Sequence, residues 1–125
     1  MKIKKIIWHI LLPLLAGVFI YIFFRKPVTF LHNLLSIDKP FLSLLPGAIS
    51  YFILFRLPDI CWAYGLTSSL ILLTGVNKFI CAAISVLFLS LVEFNQAGWH
   101  WQHVDSFDCG VMTLATILAA AFIRK

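Results

Sequence analysis

The chain has 125 residues, of which 62% are hydrophobic and 12% are charged, and its mean hydropathy is +0.99. Because a soluble domain is only about half apolar, this composition indicates an integral membrane protein and leaves no room for a separate water-exposed catalytic domain. The net charge of +5 arises near the ends of apolar stretches. This placement is typical of membrane topology and anionic lipid contact, and it argues against nucleic-acid binding.

The first apolar stretch predicts a membrane span over residues 6–24, with basic residues on both sides. At about 1.5 Å per residue this stretch can cross a hydrocarbon core of about 30 Å with slight thinning. No small-residue cleavage site follows it, so we expect a retained span and not a signal peptide. Residues 41–55 are also apolar, but Pro46 and Gly47 interrupt them, which predicts a short re-entrant or interfacial helix.

Three further spans are predicted over residues 58–75, 79–96 and 108–123. Pro58 suits the first helical position, where no backbone donor is lost. The short segment between the second and third spans predicts a tight turn between antiparallel helices, whereas a polar, aromatic loop precedes the fourth span. The sequence therefore predicts one all-α domain over residues 1–125, a small transmembrane helical bundle of four spans plus one re-entrant or interfacial helix.

The distribution of lysine and arginine predicts which ends of the spans lie in the cytoplasm. With the amino terminus inside, the cytoplasmic basic residues are Lys2, Lys4, Lys5, Lys78, Arg124 and Lys125. Those outside are Arg25, Lys26, Lys39 and Arg56. We therefore expect a multi-pass protein of the bacterial cytoplasmic (inner) membrane with both termini in the cytoplasm. In the alternative, residues 41–55 also cross, which places the carboxyl terminus outside.

Four of the five acidic residues lie at or just inside the ends of predicted spans: Asp59, Glu93, Asp105 and Asp108. Charge at membrane depth is costly, so such residues mark either a helix end or a working site. In the four-span arrangement all four lie toward the outer face. Asp105 and Asp108 have the spacing of a capping box, and Asp59 gains from the dipole of the helix that it opens. Capping and function both remain open for these three residues.

Glu93 differs because it lies near the carboxyl end of its span, where the helix dipole disfavours a negative charge. It therefore needs a partner or must be held neutral by desolvation. We expect the four carboxylates to be the best catalytic candidates. Asp59, Glu93, Gln96 and at least one of Asp105 and Asp108 should converge on one outward-facing pocket. The candidate binding residues are Gln96, Tyr64, Arg56 and His103. A positive charge or proton for Glu93 is available from Arg56, His100 or His103.

A metal site is a weaker hypothesis. His100, His103 and Asp105, with Glu93 or Asp108, offer nitrogen and oxygen ligands that suit zinc. Two histidines beside two tryptophans are more often interfacial side chains in an exposed loop, and we expect neither metal nor cofactor. The sequence carries no P-loop, no Gly-rich dinucleotide motif and no Ser-His-Asp ordering.

Several short motifs lie at the ends of the predicted spans. Leu57-Pro58-Asp59 opens a span, Tyr64 follows one turn later, Glu93-x-x-Gln96 ends the next span, and Asp105 and Asp108 open the last. Together these motifs resemble the VanZ-like family of small bacterial membrane proteins. The resemblance covers residues 57–123. The chain departs from the family pattern at Ala63, where the family has His, and at Met112 and Thr116, where it has Asn and Gly. The resemblance therefore implies a divergent member with four membrane helices, in a family linked to low-level teicoplanin resistance.

These observations lead to three expectations for function. The first is a VanZ-like cell-envelope protein whose outward acidic cluster recognises or modifies an envelope lipid or an amphiphilic drug. The second is a small intramembrane enzyme in which Glu93 and an aspartate share a proton for acid/base chemistry on a lipid-linked substrate. The third is a structural or partner-binding subunit of a membrane complex. Expected partners are membrane lipids and a lipid-linked or amphiphilic small molecule, with no nucleic acid.

Overall fold

The computed structural model describes residues 2–24, 47–100 and 106–123. Within them the chain forms five helices and no strand. Helix α1 covers residues 2–24, and the others are α2 (Gly47–Phe55), α3 (Leu57–Thr74), α4 (Lys78–His100) and α5 (Ser106–Phe122). The predicted all-α bundle is thereby confirmed.

In the described part of the chain, three helical stretches are long and apolar enough to cross a membrane. They are Lys2–Ile22, Gly47–Thr74 and Lys78–Asn95. The apolar helix α5 is shorter. At about 1.5 Å per residue, its 17 residues still extend about 25 Å, close to the thickness of the hydrocarbon core.

Helix α1 changes its winding near its start. It is α-helical over Lys2–Ile6, π-helical over Ile7–Leu11 and α-helical again over Leu12–Phe24. A π-helical turn inserts one extra residue into a helix and rotates the side chains that precede it. This full turn of altered helix ends two residues before Pro13, and the sequence did not lead us to expect it.

Helices α2 and α3 are almost continuous. Arg56 between them keeps a right-handed helical conformation, and its N–H bonds the carbonyl of Phe52 at 2.9 Å. The N–H of Ile60 in turn bonds the carbonyl of Arg56 at 3.0 Å. Helix α3 begins at Leu57, so the prediction that Pro58 takes the first position was wrong by one residue. The described part of the predicted interfacial helix, α2, therefore runs directly into α3.

The turn between α3 and α4 is as short as predicted. Gly75 ends α3 with a φ of 70°, the left-handed conformation that glycine adopts without steric cost. The side chain of Asn77 then accepts a hydrogen bond of 2.9 Å from the N–H of Phe79 and caps α4. Both ends of the turn are thus specified by local sequence.

The predicted loop after α4 is shorter than the sequence suggested. Residues 97–100 continue α4, and α5 begins at Ser106 in place of the predicted residue 108. Gly98 does not stop the helix, since glycine is well tolerated in membrane helices. The rest of that loop, 101–105, lies outside the described residues.

Helix α3 forms the centre of the bundle and contacts each of the other described helices, α1 and α5 most extensively. Four of its six buried residues are small: Ala63, Gly65, Thr67 and Ser68. The Thr67 hydroxyl donates to the carbonyl of Ala63 at 2.8 Å, and the Ser68 hydroxyl donates to that of Tyr64 at 2.7 Å. Small residues and internally bonded hydroxyls let membrane helices approach closely without unsatisfied polar groups.

Two buried clusters give the relative directions of the helices. One contains Ile71, Cys81, Ala119, Ala120 and Ile123, and the other contains Ala63, Met112 and Ala115 with Leu89 packed against it. Moving from the second cluster to the first, residue numbers rise along α3 and α5 and fall along α4. Helices α3 and α5 therefore run parallel, and α4 runs antiparallel to both.

Helix α1 packs antiparallel to α3 through two glycines. A side chain at Gly17 would lie 2.4 Å from the indole Nε1 of Trp62, and one at Gly65 would lie 2.8 Å from Cδ2 of Leu14. Each glycine thus receives a large side chain of the opposite helix. Lys2 and Lys5 of α1 line a cavity together with Gly75, which ends α3. We call the end of the bundle where these three residues meet the basic end.

Candidate functional site

An ion pair lies at the other end of the bundle, away from the basic end. The guanidinium of Arg56, between α2 and α3, pairs with the carboxylate of Asp108 in the first turn of α5. Arg56 is buried, and Asp108 is partly buried, with 20% of its side chain exposed. Charged groups are costly inside an apolar bundle unless they are paired. The Arg56–Asp108 contact provides this pairing, and it joins α2, α3 and α5 where their ends meet. We refer to this region as the polar end.

Two aromatic rings lie beside the Arg56 guanidinium. Its carbon Cζ is 4.9 Å from the centre of the Phe107 ring and 5.7 Å from that of Tyr51. Both distances fall within the range of cation–π attraction. The rings themselves are 61% and 52% exposed, respectively. The polar end therefore presents a buried cation flanked by two open aromatic surfaces.

Asp108 takes this position because of the periodicity of α5. Buried positions recur along this helix at Met112, Ala115 and Thr116, and Asp108 lies one turn before them on the same face. Its place in the first turn also agrees with the predicted stabilisation by the helix dipole. The proposed capping role of Asp105 lies outside the described residues.

Glu93 lies on the inward face of α4. The buried and half-buried residues of this helix recur every three or four positions and end at Glu93: Lys78, Cys81, Ala82, Ser85, Val86, Leu89, Ser90 and Glu93. Its neighbours Val92 and Phe94 are exposed. Since Leu89 packs against the cluster around Ala63, Glu93 lies one turn further toward the polar end. A lipid-facing position for Glu93 would have removed it as a candidate, and the structure places it inward.

The other predicted site residues divide into two groups. Asp59 is half-buried in the first turn of α3, close in sequence to Arg56. His103, Asp105 and the side chains of Gln96 and His100 lie outside the described residues. Convergence of the carboxylates with Gln96 thus stays a prediction, as does the zinc alternative. Among described residues, no three His, Cys, Asp or Glu side chains are arranged to hold a metal ion.

Tyr64, predicted to bind, has a partner that the sequence did not reveal. Its hydroxyl lies 2.7 Å from Nδ1 of His9, and the two rings stack with their centres 6.0 Å apart. His9 belongs to the π-helical turn of α1. A histidine within an apolar span is itself a signal of a functional or structural polar contact. This signal could have marked His9 as a residue with a polar partner, but not Tyr64 as that partner.

Similarity to other proteins adds nothing to this geometry. The chain has no significant match among protein-family models, curated proteins or solved structures. Membership of the VanZ-like family therefore stays a prediction that rests on the short motifs of α3, α4 and α5. The class that the fold and composition define is a small all-α integral membrane protein.

Proposed function

We propose that this protein recognises an amphiphilic molecule of the bacterial cell envelope at its polar end, as a VanZ-like protein of the cytoplasmic membrane. The observation that carries the proposal is the buried Arg56–Asp108 pair with exposed rings on either side. An amphiphile offers polar groups to such a charged centre and apolar surface to the rings. Its acyl chains would remain in the surrounding bilayer.

The arrangement favours recognition over a structural role alone. An ion pair is seldom the most stabilising solution inside a bundle, because apolar residues of similar volume are often as good or better. Ionisable residues at membrane depth accordingly mark functional sites. The exposed faces of Phe107 and Tyr51 add aromatic surface at the same place. Aromatic side chains beside a few polar groups are typical of the lining of ligand sites.

A teicoplanin-type lipoglycopeptide is the first ligand to test, because it combines an acyl chain with a polar headgroup and is the drug class that the VanZ-like resemblance implies. Deleting the gene should increase sensitivity to it, and the wild-type protein should restore resistance. Phe107→Ala should fail to restore it. The matched control is Phe122→Ala, since Phe122 is also on α5 and is 67% exposed but lies at the basic end. Equal restoration by both variants would contradict the proposal.

Glu93→Gln tests whether the inward carboxylate takes part. If the polar end only binds its ligand, Glu93→Gln should still bind that ligand, but with a changed affinity. If the protein is an enzyme, lipids extracted from cells that carry the wild-type protein should contain a modified species that is missing with Glu93→Gln. Mass spectrometry of total lipid extracts distinguishes the two results.

A further inference from the structure

The cavity that Lys2, Lys5 and Gly75 line lies at the basic end, at the opposite end of the helices from the Arg56–Asp108 pair. It has a volume of about 460 Å³, which is within the usual range of small-molecule sites, about 300–1,000 Å³. Its lining residues are Lys2, Lys5, Ile6, Ile71, Leu72, Leu73 and Gly75. The cavity therefore lies between the first turns of α1 and the last turn of α3, with two lysines on an otherwise apolar wall.

The two lysines belong to one face of α1. Lys2 and Lys5 are three positions apart, so they are neighbours on the helix surface, and Ile6 lies one position beyond them on the same side. The facing wall consists of leucines and an isoleucine from α3. Positive charge near the end of a span above an apolar wall complements a negatively charged headgroup attached to hydrocarbon.

We propose that this cavity binds one anionic phospholipid, with its phosphate between Lys2 and Lys5 and an acyl chain against Leu72 and Leu73. Phosphatidylglycerol represents this chemistry. The lysines attract the phosphate, and the leucines exclude water from the chain that accompanies it. The site is independent of the proposed recognition at the polar end, because it uses other residues at the opposite end of the helices. It would hold α1 to the turn that follows α3.

The test measures lipid retention by protein purified in a neutral detergent. Native mass spectrometry of the protein titrated with phosphatidylglycerol or phosphatidylcholine gives an apparent dissociation constant for each. Phosphatidylglycerol should bind more tightly. Each lysine near an anionic surface contributes about a fivefold change in affinity, so Lys5→Gln should weaken phosphatidylglycerol binding by about that factor and the Lys2→Gln/Lys5→Gln double variant by about 25-fold.

Lys4→Gln is the matched charge control. Lys4 is an exposed residue of the same helix and carries the same charge, but it does not line the cavity. This variant should bind phosphatidylglycerol almost as the wild type does. An equal loss with Lys4→Gln and Lys5→Gln would show general surface attraction and overturn the proposal, as would wild-type affinity in the double variant.

Two further measurements test the apolar wall. Leu73→Trp fills space in the cavity without a change of charge and should weaken phosphatidylglycerol binding, whereas Ile117→Trp, at an exposed position of α5, should not. Glycerol phosphate, which has no acyl chain, should compete poorly with the lipid. Effective competition by glycerol phosphate, or an unchanged affinity in Leu73→Trp, would reduce the site to a phosphate contact and refute a lipid cavity.

Discussion

Nδ1 of His9 and the hydroxyl of Tyr64 lie 2.7 Å apart, which joins the π-helical turn of α1 to the central helix α3. Either group can donate in this hydrogen bond, depending on the imidazole tautomer. Both side chains belong to apolar helices, where a polar group without a partner is costly. The extra residue of the π-helical turn changes the direction of the side chains around it, so it helps to set the face on which the imidazole meets α3.

Removal of this hydrogen bond should destabilise the bundle modestly. Hydrogen bonds between membrane helices contribute about 0.6 kcal/mol on average and about 1.7 kcal/mol at most. We therefore expect His9→Phe and Tyr64→Phe each to lower the free energy of unfolding in mixed micelles by a similar amount. Both substitutions keep an aromatic ring, and the double variant should be little worse than either single one. Strictly additive losses would mean that the two groups do not interact.

The sequence alone was enough to predict the helical class of the fold, because the signals for it lie in short stretches of the chain. Apolar length defined the spans, and Gly75 and Asn77 defined the turn between α3 and α4. The Arg56–Asp108 and His9–Tyr64 contacts could not be derived in the same way. Each contact joins residues that are distant in the chain. Which groups meet depends on how the small residues of α3 set the helix packing. For His9 it also depends on a π-helical turn that has no sequence signature.

Glu93 shows the limit of periodicity within the candidate site. Its inward position followed from its spacing, since a glutamate facing lipid is costly. The identity of its partner did not follow. Arg56 was one of the residues considered for it, but the ion pair that the structure shows joins Arg56 to Asp108. Which carboxylate meets the guanidinium is decided by helix packing that the sequence does not reveal.

Breaking the ion pair should be far more harmful than replacing it. Asp108→Asn removes the carboxylate that pairs with the buried Arg56, and loss of one partner of a buried pair typically costs about 3–5 kcal/mol. The Arg56→Met/Asp108→Leu double variant removes both charges and should recover most of that stability. Unfolding in mixed micelles measures both. If the double variant is as unstable as Asp108→Asn, an unpaired buried charge does not explain the loss of stability.

Alanine substitutions at Gly65 of α3 and Gly110 of α5 should have opposite effects on stability, because Gly65 packs closely against α1. A Cβ at Gly65 would lie 2.8 Å from Cδ2 and 2.9 Å from Cγ of Leu14, so Gly65→Ala should cost about 1–3 kcal/mol through overpacking. A Cβ at Gly110 of α5 would meet nothing from the other described helices within 4 Å. Gly110→Ala should therefore be neutral or stabilise by up to about 1 kcal/mol. Thermal unfolding in detergent compares the two, and equal effects would contradict the close contact.

The directions of the helices predict which parts of the chain share a side of the membrane. Lys2 and Lys5 line a cavity with Gly75, and Ile123 packs in one cluster with Ile71 and Cys81. The amino terminus, the turn before Lys78 and the end of α5 therefore lie at the same end of the bundle. The excess of lysine and arginine at that end favours the cytoplasm.

Reporter fusions that are active only outside the cytoplasm test this arrangement. We expect them to be silent after Lys78 and after Lys125, and active near Lys39 and after His100. The fusions after Lys78 and Lys125 must agree with each other whatever the orientation, because α3 and α5 run parallel and end at the same height. Activity at both would invert the orientation and leave the fold intact. Activity at Lys125 alone would contradict the parallel packing of α3 and α5, and with it the placement of Arg56 beside Asp108.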